Sequence, residues 1–151
     1  MVEKAIVKHH RLVAGALSAA VLSACSTPDP RDPAPGNAMP TGYLDVPRDG
    51  ETVGRLVEIS GWAADDANGV RVRIYVDHRF VAATDLTIAR PDVSAAFPQY
   101  ARDGDRHGWR VEVDLGPGEG PHVITAQAVD DDGAVRDLQT IGVKVIARDP
   151  D

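Results

Sequence analysis

Cysteine is nearly missing from this chain: its 151 residues include one, Cys25. A lone thiol excludes an internal disulfide framework and a thiolate zinc site. An excess of positive charge is missing too. The 16 Lys+Arg stand against 23 Asp+Glu, a formal charge of −7. That balance excludes sequence-independent nucleic-acid binding, which needs a basic surface to displace counterions. No apolar run reaches the roughly 18 residues that a spanning helix needs. No amphipathic helical pattern of ten or more residues is present. No serine occupies a G-x-S-x-G elbow, and no glycine-rich phosphate loop opens a helix. The residues therefore predict a protein that is not an enzyme and has no resident cofactor.

What is present begins with a leader. Lys4, Lys8 and Arg11 form a positive start, and Leu12 to Leu22 then reads LVAGALSAAVL. A basic segment followed by a short apolar one is a secretory signal. Leu22-Ser23-Ala24-Cys25 closes it. These four residues resemble the lipobox of bacterial lipoproteins, an aliphatic residue and two small ones before cysteine. The resemblance implies cleavage before Cys25 and a covalent lipid on that residue, with palmitate among the acyl chains. It also implies a membrane partner through that anchor, because several acyl chains hold a soluble domain where one gives marginal binding. Ser26 follows, not Asp. The expected location is the cell envelope. In a Gram-negative host that is the outer membrane, facing the periplasm or the surface; otherwise it is the outer face of the cytoplasmic membrane.

Without residues 1–24 the chain keeps 13 Lys+Arg and 22 Asp+Glu, of which 18 are Asp. Asp favours turns through local hydrogen bonds to the backbone. Residues 26–41, STPDPRDPAPGNAMPT, carry five prolines and hardly any apolar side chain to bury. Such a segment favours extended polyproline II and reads as a spacer of roughly 50 Å at most.

From Tyr43 the pattern acquires period two. Val57, Ile59, Gly61 and Ala63 alternate with polar neighbours, as do Val70, Val72, Ile74 and Val76. Trp109, Val111, Val113 and Leu115 repeat the pattern, followed by His122, Ile124, Ala126 and Ala128, then Ile141, Val143 and Val145. Strict alternation marks strands with one face in a core and one in water. Asp- and Gly-rich turns separate them. With Tyr43 to Val46 and Phe80 to Ala83 added, about seven strands occupy the domain, an all-β antiparallel β-sandwich. The expected division is a signal peptide over 1–24, lipidated Cys25 and a Pro-rich tether over 25–41, the sandwich over 42–147, and a tail over 148–151.

Thr87 to Arg106 breaks the pattern. There Asp92 is expected to cap one short helical turn, and Phe97 and Tyr100 to pin the segment to the sandwich. Residues 42–147 resemble bacterial immunoglobulin-like domains. The matching pieces are Gly61-Trp62-Ala63, Val70 to Asp77, Arg90-Pro91-Asp92-Val93 with Phe97-Pro98, Gly108-Trp109, and Gly120-Pro121-His122 leading into Ala126 to Asp130. The resemblance implies fold and says little about activity. Many relatives carry Asp-Gly after the third strand; here His78 follows Asp77, which weakens the case for a type I′ turn.

Two acidic clusters, Asp65-Asp66 and Asp130-Asp131-Asp132, are weak calcium candidates, with Asp65, Asp66, Asp130 and Asp132 as the oxygens. Neither has EF-hand spacing, turn chemistry accounts for both, and no metal is expected. His122 reads as a hydrogen-bonded core histidine, and His78 and His107 as loop residues. Arg71, Arg73 and Tyr75 share the outward face of one strand and form the candidate binding surface. Their arginines are expected either to pair with Glu58, Glu112 or Asp114 or to serve a ligand. Trp62 should face outward, so either a bulge turns it in or it marks a contact. The reading is a lipid-anchored envelope protein with a non-catalytic binding or structural module. The alternatives are a carbohydrate-binding surface module, or an accessory subunit of an envelope enzyme or transport complex. The partner is an unknown envelope protein or glycan.

Overall fold

The computed structural model describes residues 36–66, 69–101 and 103–146. Cys25 and its neighbours Leu22, Ser23 and Ala24 lie outside them, as does most of the tether. The elements in order are β1 (Thr41–Val46), β2 (Thr52–Val53), β3 (Leu56–Ala64), β4 (Val70–Val76), β5 (Arg79–Asp85), β6 (Ile88–Ala89), α1 (Pro91–Ala96), β7 (Arg106–Asp114), β8 (Gly120–Asp130) and β9 (Val135–Val145). Among the described residues no helix is long and apolar enough to cross a membrane.

Two sheets face each other. One has the order β1-β3-β7-β6 and the other β2-β9-β8-β4-β5. The chain divides its first strand between them: β1 pairs with β3, and β2 runs parallel to β9. After β3 the chain crosses to the second sheet for β4 and β5, returns to the first for β6 and β7, and crosses again for β8 and β9, the connectivity of an immunoglobulin-like sandwich. The seven long strands are those that period two predicts, and β2 and β6 are two-residue additions. β9 starts at Val135, earlier than the alternation from Ile141 suggests, because its first half buries no side chain fully and lacks an apolar rhythm.

The core lies where alternation places it. Val57, Ile59 and Ala63 of β3 are buried with Trp109 and Val113 of β7, against Val72, Ile74, Ile124, Ala126, Ile141 and Val143 of the other sheet. Each fully buried Val or Ile contributes roughly 1.5–3 kcal/mol relative to exposure.

Several local expectations need correction. Asp77 (φ 49°) and His78 (φ 66°) both adopt left-handed backbone between β4 and β5. A two-residue turn of this kind therefore forms without glycine. The compensation is visible: Asp77 Oδ1 accepts the Val123 N–H at 3.0 Å, and Asp77 Oδ2 meets His122 Nδ1 at 2.8 Å. Asp92 does not cap α1. The N-cap is Arg90 with no side-chain cap bond, and Pro91 opens the helix, a position where its missing N–H costs nothing. Asp92 instead takes both prongs of the Arg90 guanidinium, at 2.9 and 2.8 Å. His107 is not a loop residue. It lies on β7 and is 1% exposed. His122 is half-buried rather than central.

The crossover from β6 to β7 roofs one end of the four-stranded sheet. Phe97 packs on Trp62 with ring centroids 5.4 Å apart, and Tyr100 stacks behind it at 6.3 Å. Arg90 reaches from beyond edge strand β6 to Asp45 on the opposite edge strand, at 2.7 Å. It can pass because Gly108 lies beneath: a Cβ there would be 3.0 Å from Arg90 Cγ and 2.9 Å from Ile88 Cβ. The last residues assigned to the tether also pack. Pro40 is buried, and the Asn37 amide donates to Asp130 Oδ2 at 2.8 Å.

Candidate functional site

The outer face of the five-stranded sheet has no such roof of helix or crossover among the described residues. Its centre is β8, with β4 beside it. Arg71, Arg73 and Tyr75 all point outward from β4, as parity requires. Pairing places Arg73 opposite Gln127, Tyr75 opposite Thr125 and Arg71 opposite Val129. On the other side Arg71 faces Asp85 and Tyr75 faces Phe80.

These side chains order one another. Arg71 Nε donates to Asp85 Oδ1 at 2.9 Å, an exposed pair. Tyr75 and Phe80 meet edge to face at 5.9 Å, leaving Phe80 58% exposed. The Tyr75 hydroxyl points to Gln127 Oε1 at 3.4 Å, and Gln127 Nε2 donates to Asp137 Oδ1 at 2.8 Å. Two concavities flank this row. One of about 350 Å³ is bordered by Arg71, Arg73, Asp85 and Asp131. The other, about 180 Å³, is bordered by Tyr75, His78, Thr125, Gln127 and Asp137.

The structure thus brings Arg71, Arg73 and Tyr75 together and separates Trp62 from them. Trp62 lies on the outer face of the other sheet, half-buried under Phe97. Neither a bulge nor an open contact explains it; the crossover covers it. The expected arginine partners are also corrected. Glu58, Glu112 and Asp114 belong to β3 and β7 of the opposite sheet. There Asp114 pairs with Arg55 and Glu58 with Arg110. Asp85, Gln127 and Asp137 are the face's own polar residues. Their outward parity was readable, but which strands would neighbour β4 was not.

Of the acidic clusters, the one at Asp130 serves its turn. Asp130 is 5% exposed, and both its oxygens accept N–H bonds, from Asn37 and from the Ala134 backbone at 2.7 Å. Asp65 is buried at 1% exposure. Among the described residues no group of three His, Cys, Asp or Glu side chains is arranged to hold a metal ion.

One constellation escaped the sequence. Ser94 Oγ and His107 Nε2 are 3.2 Å apart. A hydroxyl beside an imidazole has the makings of a nucleophile and base. Here the imidazole is sealed from solvent, and the bond ties α1 to the start of β7. The signal for a buried His107 was its i,i+2 relation to Trp109.

Comparison with known proteins adds little beyond architecture. No protein-family model matches the chain, and no curated protein matches it significantly. Among solved structures, it resembles fibronectin(III)-like modules of Clostridium thermocellum CbhA at 17% identity and TM-score 0.49, covering 71% of this chain and 97% of that one. It also resembles part of an endo-beta-1,4-mannanase from Thermotoga petrophila at 15% identity and TM-score 0.48, covering 74% of this chain but 20% of that enzyme. A CARDB domain of a Pyrococcus furiosus protein, in complex with di-metal ions, matches at 16% identity and TM-score 0.44, covering 72% of this chain and 94% of that domain. At such identities and scores these likenesses say nothing of ligand or chemistry. The chain's own strand order makes it an immunoglobulin-like β-sandwich domain.

Proposed function

We propose that this is a lipid-anchored envelope protein whose immunoglobulin-like domain is a non-catalytic binding module. The observation that carries the binding role is the asymmetry of the sandwich. One outer face is roofed at one end by the α1 crossover, while the other presents an ordered row of Arg, Tyr, Phe and Gln side chains. Arg and Tyr are enriched where proteins bind partners. The anchor rests on the Leu22-Ser23-Ala24-Cys25 signature and the Pro-rich segment after it.

Fractionation tests the anchor. Cys25→Ser is expected to move the protein from the membrane pellet to the soluble fraction and to abolish incorporation of labelled palmitate. A variant that keeps both label and pellet overturns the anchor.

A further inference from the structure

We infer that the β4–β8 face pairs with the same face of a second copy of this chain. The two-fold axis runs along β8 and sets Arg73 of each copy against Asp137 of the other. The inference rests on the reading of an anchored binding module and names that module's partner.

The outer face is ordered in rows. Pairing sets Arg73, Gln127 and Asp137 side by side on β4, β8 and β9, and Tyr75, Thr125 and Thr140 side by side in the next row. One cation and one acid therefore flank β8 at the same level. Neither has an opposite charge in its own copy. Among the described residues Arg55, Arg71, Arg90 and Arg110 each hold a carboxylate, and Arg73 holds none. Asp137 is exposed, and its Oδ1 accepts the neutral Gln127 amide. An axis along β8 exchanges the two flanks. Arg73 then faces Asp137 twice, which is the reciprocity a symmetric contact requires. Gln127 and Thr125 meet their own copies, and each side chain carries both a donor and an acceptor. Like charges do not align: Arg71 and its partner Asp85 share the row of Val129 and Val135, so Arg71 comes over Val135. A free acid suits this face poorly, because Asp85, Asp130 and Asp131 border the concavity beside Arg73. A second copy brings a cation for Asp137 together with the acid for Arg73.

The strands favour contact face to face. β4 and β8 are interior, each hydrogen-bonded on both sides. An added chain has no open backbone to join there, so a partner must meet the side chains. Strands β5, β4, β8 and β9 offer roughly 550 Å² in projection, before the relief of their side chains is counted. A stable interface takes about 800 Å² of accessible surface from each partner. The direction of the axis follows from the anchor. The chain enters the sandwich at the Asp130 end of β8, where Asn37 bonds Asp130. Copies held in one bilayer through Cys25 present that end to the same side. An axis along the strands keeps both entry ends together, whereas one across the strands turns one of them away. Confinement to one membrane also raises the effective concentration of each copy for the other.

Thr125→Cys, on the axis, is expressed in the full-length chain, and the envelopes are treated with a short bismaleimide. The expected product is a band of twice the chain's mass, absent from the parent chain and from Arg110→Cys on the opposite sheet. In the Thr125→Cys background, Arg73→Asp or Asp137→Arg should each lower the dimer yield about tenfold or more, because like charges then meet. The two reversals combined restore the yield, which a misfolded variant would not do. No dimer, an equal dimer from Arg110→Cys, or a double reversal without rescue each overturns the inference. An adduct of Thr125→Cys with a different protein overturns the second copy as partner and leaves the binding face standing. Cys25→Ser fractionation reports on the anchor separately, so a missing dimer is distinguishable from a missing anchor.

Discussion

At Gly61 the chain has no room for a single methyl group. A Cβ there would overlap the Tyr43 carbonyl of the neighbouring strand and lie 2.7 Å from Trp109 Cζ2. Neither obstacle is the free end of a flexible side chain. Gly61→Ala is therefore expected to cost roughly 1–3 kcal/mol, read as a lower urea midpoint with an unchanged slope. Trp109 itself is fully buried, and its Nε1 has no hydrogen-bond partner among the described residues. It is kept for the volume it fills between the sheets, at the expense of an unsatisfied N–H. The turn residues follow the opposite logic. Asp77 accepts a left-handed conformation that glycine adopts more readily, and in return its carboxylate bonds Val123 and His122 on β8.

The crossover carries the lesson at the scale of elements. Phe97 is half-buried on Trp62, and Arg90 fastens the segment to Asp45. Phe97→Ala should uncover Trp62, shift tryptophan emission to the red and cost about 1–2 kcal/mol. Only Trp62 should respond, since Trp109 is sealed in the core. The strands were legible because one-sided burial imposes period two, so Val57, Ile59, Val72 and Ile74 declare their side. The same parity put Arg71, Arg73 and Tyr75 on one face. Parity cannot say which strand lies beside which. That depends on how the chain divides between sheets, so Asp85, Gln127 and Asp137 were missed and Glu58, Glu112 and Asp114 were misplaced. The crossover has no period at all. Its covering of Trp62 follows from tertiary contact between Phe97 and a residue 35 positions earlier in the chain, which local pattern does not encode.

At the scale of the molecule, three exposed carboxylates among the described residues are held below their ordinary range and shape its response to acid. Asp114 is held down at about 2 by its hydrogen bonds to Arg55 and to the Gly116 N–H. Asp77 is lowered chiefly by the Val123 N–H and Asp92 chiefly by Arg90. A carboxylate lowered in the folded state binds protons more readily when unfolded. Its stabilisation is thus complete above the unfolded value, roughly 4, and fades as pH falls through the folded one. Thermal midpoints should be level from pH 8 to 5 on this account and drop below about 4, with Asp77→Asn flattening part of that drop.

The chain joins the sandwich at the end where Asn37 meets Asp130, whereas β9 finishes beside Gly120 at the other end. The eleven residues of β8 span the interval, roughly 35 Å at strand rise. The domain is therefore a built-in ruler. A fluorophore placed just after Val145 would mark the end of that length away from Asn37, with the β4–β8 face running along the scale and not across its tip.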